Sequence, residues 1–545
     1  MRDPVVALPT EVSLLIFRRF TLQEIALFMP VCKMWYRFLN ECTVLWCTVD
    51  IRHGMYKSQD HADGDEYVQS LKLTGTGEDH LFRGGDMVAC SETHRSIGPE
   101  NMLRDTDIAT IACRAGPALS KLSLDFAPRL SNAGISALIR HNCTHIRHLE
   151  LRANKSIGTN ALVALVESVK DHLEFLSLRS TEIDDSFVQA LLTTASRLTH
   201  LDISFCRKIT KSAFPFVDQN NSGLVFTSPA DIATVVQTID ELWNDPFANI
   251  RILSADGSAE ELRCAKAVDA TRLPKLKTII AFRCVHVGSA AVMRIIKAFG
   301  QTLEALDVSR NPVTVDVLQQ IPVATNGRKP LRLQTLRMCD LDHNADISNG
   351  RQAMAFSRNA GPGRAWSFAD FALAVPNLTS ISLGGKNNCT TNELVVHISR
   401  HCRLLVSVDV HGSSLISRPS MVALSENCPL LEHVDISGCL RCDDHDVCTL
   451  VTGCKRLKSL NLSKVAINDH CLFTIGDCLR GLERLTLDSC LLITWQGIRL
   501  MVKMFNASGC DHTLRHLSFV FSCPGAGNDI SWCKEWLHPS TKVTW

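Results

Sequence analysis

The 545-residue sequence has little net charge, few aromatic residues and no long apolar run. Lys and Arg number 57 against 56 Asp and Glu, which argues against the broad basic surface of a nucleic-acid-binding protein. No apolar stretch approaches the roughly 20 residues that a membrane span needs, and the N-terminus lacks the apolar core of a signal peptide. We therefore expect a protein of the cytoplasm, the nucleus or both, with no nucleic-acid or membrane partner.

The sequence also lacks the motifs of common enzyme sites. It has no Gly-rich phosphate loop and no nucleophile elbow, and its 20 histidines are scattered. We expect no catalytic residue, no cofactor and no metal. Aromatic residues make up only 6% of the chain, so Leu, Ile and Val must supply most of the buried surface.

Cysteine, in contrast, is abundant, with 23 residues spread along the chain. In a short secreted protein this number would indicate disulfides, but in a long chain without an export signal we expect reduced thiols. The segment Cys439-x2-Cys442-x2-His445-x2-Cys448 has a spacing that is compatible with zinc. Cys439 and Cys442 also fit buried positions of a repeat, so packing is the favoured interpretation.

A pattern Leu-x-x-Leu-x-Leu recurs about every 26 residues. It runs from Leu119-Leu122-Leu124 to Leu198-Leu201-Ile203 and again from Leu303-Leu306-Val308 to Leu514-Leu517-Phe519. Between these segments the apolar spacing becomes helical. The sequence therefore predicts repeated strand–turn–helix units whose stacking gives a parallel sheet on one side and helices on the other.

Cysteines occupy two fixed places in this unit. One lies three residues after the strand: Cys206, Cys284, Cys439 and Cys490. The other closes the helix: Cys143, Cys402, Cys428, Cys454 and Cys478. This arrangement resembles the cysteine-containing class of leucine-rich repeats, which implies a curved α/β solenoid with the parallel sheet on its concave face and helices on its convex face.

The N-terminal segment does not follow the repeat. Residues 8–46 predict three short amphipathic helices, which are too few to close a good core without a partner. The segment resembles an F-box: Leu8-Pro9-x-Glu11, then Ile16-Phe17, Val31-Cys32-Lys33-x-Trp35 and finally Leu45-Trp46. It departs from the common pattern at Phe20, where Leu is usual, and at Glu24, where Asp is usual. The alternative is a helical cap that seals the first repeat.

The F-box resemblance implies a partner. Leu8, Pro9, Glu11, Ile16, Phe17, Val31, Cys32, Trp35, Leu45 and Trp46 would bind the Skp adaptor, which joins a cullin in an SCF-type ubiquitin ligase. The repeats would then hold an unknown protein substrate. The second interpretation is a protein-interaction scaffold that uses its repeats and has an F-box but no ligase role.

These features predict four regions. They are an F-box at 1–48, a linker with degenerate repeats and flexible loops at 49–106, leucine-rich repeats at 107–520 with an insertion at 342–366, and a C-terminal cap or tail at 521–545. The degenerate repeat copies include those near Leu71, Leu224, Ile250 and Leu276. Trp532, Trp536 and Trp545 lie in the tail, which either seals the final repeat or folds back onto the sheet.

Substrate contacts are predicted on the sheet, where residues between the buried leucines point to solvent because strand side chains alternate. The candidates are Arg152, Arg179, His200, Asp202, Asp409, His411, His433 and Asp435. Glu150 is expected to be exposed by the same alternation. Asp409 and Asp435 are expected side by side, an unfavourable pairing that a ligand would offset.

Overall fold

The computed structural model describes residues 48–52, 103–125, 127–215, 273–324, 330–341, 368–385, 389–507, 513–520 and 541–544, with the single residues Trp35, Ser522 and Leu537. These residues belong to two compact units, one ending at His286 and the other beginning at Val287. The insertion 342–366 and the degenerate copies near Leu71, Leu224 and Ile250 lie outside the described residues.

In the first unit, short parallel strands alternate with helices. The strands are β1 (Thr48–Arg52), β2 (Lys121–Asp125), β3 (His148–Glu150), β4 (Phe175–Ser177), β5 (His200–Asp202) and β6 (Thr278–Ile280). The helices are α1 (Asp105–Ala115), α2 (Asn132–Arg140), α3 (Thr159–Val169) and α4 (Asp185–Thr194), with 3-10 turns at Gly116–Ala118 and Lys211–Ala213. Each strand pairs with the next so that its central apolar residue is opposite the next one, as Leu149 is opposite Leu176.

The second unit continues the same alternation. Its strands are β7 (Ala305–Asp307), β8 (Thr335–Arg337), β9 (Ser380–Ser382), β10 (Ser407–Asp409), β11 (His433–Asp435), β12 (Ser459–Asn461), β13 (Arg484–Thr486), β14 (His516–Ser518) and β15 (Lys542–Thr544). Its helices are α5 (Ser289–Phe299), α6 (Asp316–Ala324), α7 (Phe368–Ala374), α8 (Asn392–His401), α9 (Arg418–Asn427), α10 (Asp444–Gly453), α11 (Asp469–Cys478) and α12 (Trp495–Ala507). Parallel pairing needs a crossover between strands, and the helices supply it.

The predicted leucine-rich-repeat fold is confirmed in both units. The three apolar residues of each pattern are buried, as at Leu457, Leu460 and Leu462, and they pack against the apolar stripes of the helices. Among the described residues, no helix is long and apolar enough to cross a membrane. The strand β15 pairs in parallel with β14, so the C-terminal segment adds a strand to the sheet of its unit.

The turn that follows each of the strands β3 to β13 ends on a residue with a positive φ angle. It lies four positions after the central apolar residue, at Ala153, Ser180, Phe205, Arg283, Arg310, Asp340, Gly385, Gly412, Gly438, Lys464 and Ser489. Three of these eleven residues are glycine, so most repeats hold an ordinary residue in a conformation that favours glycine.

The cysteine that follows each strand has a structural role. Cys206, Cys284, Cys439 and Cys490 are fully buried. Each thiol donates to a main-chain carbonyl of the preceding repeat, as Cys439 does to Val410 at 3.3 Å and Cys490 to Leu462 at 3.1 Å. Packing and a weak hydrogen bond therefore account for these residues.

The cysteines predicted at helix ends follow the prediction with two exceptions. Cys143 is buried, but it lies three residues beyond Arg140, where α2 ends. Cys402, Cys428 and Cys454 end their helices in buried positions. Cys478 is only half-buried, because Leu479 takes the end position of α11 and fills the buried corner there. The prediction for Cys478 was therefore wrong by one residue in register.

Successive helices are joined by carboxylates, which we call staples. The first residue of a helix accepts a hydrogen bond from the main-chain N–H of the residue that precedes the next helix. Asp469 accepts from Thr494 N at 2.7 Å, Asp185 from Thr210 N at 2.6 Å, and Asp105 from Ser131 N at 2.8 Å. These bonds set the distance between neighbouring helices at their N-terminal ends.

Candidate functional site

The predicted adaptor-binding residues lie almost entirely outside the described residues. Trp35 is the exception: it is in helical conformation and its side chain is half-buried. Helical conformation agrees with the third short helix expected at this position. The roles of the ten residues in adaptor binding stay predictions.

The candidates of the first unit lie on the sheet, but Glu150 does not point to solvent. It is only 4% exposed, and its carboxylate is paired with Arg152 at 2.9 Å and with His148. The expectation that Glu150 is exposed was therefore wrong. A buried carboxylate needs such partners, and here its two basic neighbours cover it.

Aromatic rings line one edge of the same sheet. Phe175 stacks on His148 with 4.0 Å between ring centroids, and His200 stacks on its other side at 5.8 Å. The register of β3, β4 and β5 places these three residues opposite one another. Arg179 lies 4.8 Å from the Phe205 ring centroid, and Arg283 lies 5.8 Å from it. This surface offers flat rings and guanidinium groups to a partner.

Asp202 takes part in a local turn. Its Oδ1 accepts from Ser204 N at 3.0 Å and from Ser204 Oγ at 2.6 Å, and its Oδ2 accepts from Ser177 at 3.0 Å. Asp435 repeats the arrangement, accepting from Ser437 N at 2.9 Å and Ser437 Oγ at 2.6 Å. An Asp-x-Ser sequence thus stabilises the chain where it leaves the strand.

Asp409 departs from this pattern because His411 stands where serine is found elsewhere. Its Oδ1 accepts from His411 N at 3.0 Å and from the ring Nδ1 at 2.7 Å. The ring lies over Gly384, where a Cβ atom would be 2.1 Å from Nδ1. The missing side chain at Gly384 therefore makes room for an imidazole in this one turn.

A chain of polar groups continues from Asp409. Ser382 donates to Asp409 Oδ2, and Cys339 lies 2.8 Å from the Ser382 hydroxyl. Since the Ser382 proton is used on Asp409, the Cys339 thiol donates to Ser382. Burial raises the pKa of Cys339 far above its ordinary value, so this residue is a neutral thiol. Cys339 and Ser382 were not predicted as site residues, although the repeat period places both on the sheet.

Asp409 and Asp435 are adjacent, as predicted from the sequence. Burial would raise the pKa of Asp409, but the hydrogen bond and positive charge of His411 lower it overall. The hydrogen bond to Asp409 raises the pKa of His411 to about 9. Burial and the charge of Asp409 raise the pKa of Asp435, which also accepts from Asn461 at 2.8 Å. His411 and Asn461 thus offset part of the repulsion within the fold, and a ligand for the two carboxylates stays a prediction.

His433 lies on the same strand as Asp435 and is half-buried. Burial lowers its pKa, so it is neutral at pH 7. The sheet face here therefore carries one cationic imidazole and one neutral imidazole on neighbouring strands.

The zinc-like spacing does not form a cluster. Cys439 and Cys442 are buried and donate to main-chain carbonyls of Val410 and Ile416. His445 is exposed on α10. Cys448 instead approaches His470 of the next helix, at 3.8 Å from its Nδ1.

Comparison with known families gives two matches. Residues 5–52 match a family model described as F-box-like, and residues 142–166 match one described as a leucine-rich repeat. No curated protein matches the chain.

Similar solved structures include the Rad7–Elc1 complex of yeast, at 12% identity and TM-score 0.40, covering 81% of this chain and 77% of that one. An internalin (inlF) of Listeria monocytogenes has 14% identity and TM-score 0.36, covering 73% of this chain and 81% of that one. A complex of TLR13 with ssRNA13 has 13% identity and TM-score 0.33, covering 78% of this chain and 53% of that one.

Proposed function

We propose that this F-box/leucine-rich-repeat protein is the substrate-recognition subunit of an SCF-type ubiquitin ligase. In this role the F-box segment binds the Skp adaptor, and through it a cullin, while the sheet face of the repeats holds a protein substrate. The protein itself is not catalytic, and it acts in the cytoplasm or nucleus. It raises the local concentration of substrate lysines near an enzyme carried by the complex.

The observation that carries the proposal is the F-box-like match at residues 5–52, joined to a repeat array in the same chain. The motif residues run in order from Leu8-Pro9 to Leu45-Trp46. An apolar helical segment too small to close its own core is suited to being completed by a partner.

The sheet face supports a binding role at His411. The turn that uses serine at Ser204 and Ser437 uses an imidazole here, with room made by Gly384. Serine supplies the hydrogen bonds of this turn in other repeats, so the turn itself does not require an imidazole. A cationic side chain on a partly exposed sheet is suited to contact a carboxylate or carbonyl of a substrate.

A scaffold without ligase function is the second candidate. It is favoured by the same sheet face, which needs no adaptor in order to bind a protein. The two candidates differ in whether the F-box segment recruits Skp and cullin.

The first experiment tests adaptor binding. We expect Trp35→Ala combined with Leu8→Ala to abolish co-purification with Skp and cullin, while the far-ultraviolet circular dichroism of the repeats is unchanged. His411→Ser is the matched control, because it alters the sheet face and should leave adaptor binding intact. Equal recovery of Skp with the double variant and with the wild type would exclude the ligase assignment.

The second experiment tests the substrate face by proximity labelling with and without proteasome inhibition. We expect His411→Ser and the pair Arg152→Glu with Arg179→Glu each to change the recovered proteins, while Skp recovery stays constant. The pair Asp409→Lys with Asp435→Lys tests the acidic residues in the same way. If all variants recover the same proteins as the wild type, the sheet face does not bind the substrate.

A further inference from the structure

We propose that Asp444, Cys448 and His470 form a binding site for a zinc-like divalent cation between α10 and α11. The three residues offer a carboxylate oxygen, a thiolate sulfur and an imidazole nitrogen within 4.8 Å of one another. Asp444 and Cys448 are one helical turn apart on α10, and His470 lies in the first turn of α11. The site goes beyond the proposed ligase function and does not depend on it.

The two distances from His470 Nδ1 match edges of a zinc tetrahedron. With Zn–S near 2.3 Å and Zn–N and Zn–O near 2.0–2.1 Å, a tetrahedral centre separates sulfur from nitrogen by about 3.6 Å and nitrogen from oxygen by about 3.3 Å. The Cys448 Sγ to His470 Nδ1 distance is 3.8 Å, and the His470 Nδ1 to Asp444 Oδ2 distance is 3.2 Å.

One nitrogen faces two acceptors in this arrangement. His470 Nδ1 can donate one proton, yet it lies between the Asp444 carboxylate and the Cys448 sulfur. A divalent cation at this point would bind all three atoms and neutralise both anionic groups. Three protein ligands leave a fourth position, which the exposed side of His470 opens to water.

Asp444 differs from the other staple residues. In the staples at Asp105, Asp185 and Asp469, the second carboxylate oxygen accepts from the Ser131, Thr210 or Thr494 hydroxyl of the next repeat. The residue that precedes the helix following Asp444 is Asn468, which has no hydroxyl. The side-chain oxygen of Asn468 accepts a hydrogen bond from His470 N at 2.8 Å. Asp444 Oδ2 is therefore directed to His470 and Cys448 instead.

The surrounding groups orient the three ligands. Asp444 Oδ1 accepts from Asn468 N at 3.0 Å, which fixes the carboxylate. Thr474 Oγ1 lies 3.5 Å from Cys448 Sγ. Ordered outer groups of this kind strengthen metal sites.

The proposal departs from the expectation that the chain holds no metal. It also uses a different set of residues from the spaced segment in the sequence, because only Cys448 is common to both. The pairing with His470 depends on two helices meeting in the fold, which the spacing along the chain does not reveal.

The test uses the reduced full-length protein and Co²⁺ as the probe. We expect one Co²⁺ per chain, with a thiolate-to-cobalt charge-transfer absorption that Zn²⁺ abolishes by displacement. Cys448→Ser should remove the absorption. His470→Ala, at an exposed position, should weaken Co²⁺ binding by at least about tenfold, since one of three ligands is lost.

Two control variants locate the signal. His445→Ala changes an exposed histidine on the same helix and should leave binding unchanged. Cys339, Asp409 and His411 form the other group of possible metal ligands among the described residues. Cys339→Ser changes the thiol of that group and should also leave the cobalt absorption unchanged. Absence of the cobalt absorption in the wild type, or its persistence in Cys448→Ser, would overturn the proposal.

Discussion

At the scale of single residues, the buried cysteines act as small donors. Cys439 fills the corner after its strand and donates to the Val410 carbonyl. Ser522 occupies the same place in another repeat and donates to Leu487. A hydroxyl therefore serves where a thiol does, and the corner needs a donor of small volume.

This role predicts a graded effect of substitution at Cys439. We expect Cys439→Ala to lower the free energy of unfolding by about 1–2 kcal/mol, because it leaves a small cavity and removes one of the two hydrogen bonds to the Val410 carbonyl, which then keeps only the bond from Ser413 N. Cys439→Ser should cost less, since the donor remains. Urea denaturation would measure both, with the exposed Cys113→Ala as a control. Equal losses for Ala and Ser would show that the hydrogen bond is unimportant.

The ion pair of His411 and Asp409 predicts a dependence of stability on pH. The pKa of His411 is about 9 in the fold against 6.5 for an ordinary histidine, so its stabilisation is complete below about pH 6.5 and is lost as the pH rises through 9. The side chain is 39% exposed, so solvent screening reduces the effect to on the order of 1 kcal/mol.

The measurement compares the unfolding free energy of the wild type and of His411→Ser near pH 6.5 and at about pH 10. The difference should be larger at the lower pH, because the imidazole is charged in the fold there, whereas at pH 10 it is neutral in both the folded and the unfolded state. The carboxylates that face His411 are Asp340, Asp409 and Asp435. The pKa of Asp409 is lowered by His411, so Asp409 is ionised throughout this range. A difference that does not change with pH would contradict the ion pair.

The sequence predicts which strand residues share a face, but it does not predict their partners. Alternation placed Glu150, Asp202 and Asp435 on the solvent side of the sheet. Glu150 is nevertheless buried by its basic neighbours, and the other two bind the turn that follows them. The repeated Asp-x-Ser sequence was the available signal for these turns, and His411 is the departure from it.

At the scale of the element, the residue with positive φ after each of the strands β3 to β13 costs conformational free energy in every repeat where it is not glycine. Gly438 has φ of +69°, and a Cβ atom there would meet nothing closer than 3.4 Å. A side chain at this position is therefore disfavoured by the positive φ angle and not by a clash with neighbouring atoms. Lys464 holds the same position in the next repeat with φ of +63°.

These two positions form a matched pair. We expect Gly438→Ala to lower stability by about 1 kcal/mol and Lys464→Gly to raise it by up to about that amount, since glycine tolerates positive φ. Thermal unfolding would measure both changes. A loss of stability in Lys464→Gly would mean that the lysine side chain contributes more than its backbone conformation costs.

The staples connect one helix with the next, so they contribute to element spacing. Asp469→Ala removes the acceptor for Thr494 N and for its hydroxyl, and we expect a loss of about 1–2 kcal/mol. Asp477→Ala, at an exposed position on the same helix, should change stability little. Chemical denaturation distinguishes the two, and equal effects would show that general charge, not the staple, is responsible.

The period of the leucines predicted where strands and helices alternate, and the structure confirms this for both units. Exact helix ends were less certain, as Cys478 and Leu479 show, because a one-residue change in helix length leaves the period nearly unchanged. The meeting of Cys448 with His470 was not predictable, since it depends on the contact between neighbouring helices.

At the scale of the whole molecule, the F-box segment and the repeats are expected to bind different partners. The F-box segment is expected to need a partner to complete its core, whereas the repeats bury their own leucines. Substitutions at Trp35 and at His411 should therefore affect different partners. The tryptophan-rich tail remains a predicted cap, to which the structure adds the strand β15 at the end of the sheet.

Each repeat of the second unit is bonded mainly to the repeats on either side of it, through main-chain pairs such as Val408 with Val434 and Val434 with Leu460. Under tension applied at the C-terminus, the last repeat should detach first, and its release exposes the next to the full force. An optical-trap recording should then show a series of small ruptures, each lengthening the chain by roughly 80–90 Å for about 26 extended residues. A repeat array built in this way yields to mechanical pulling in steps.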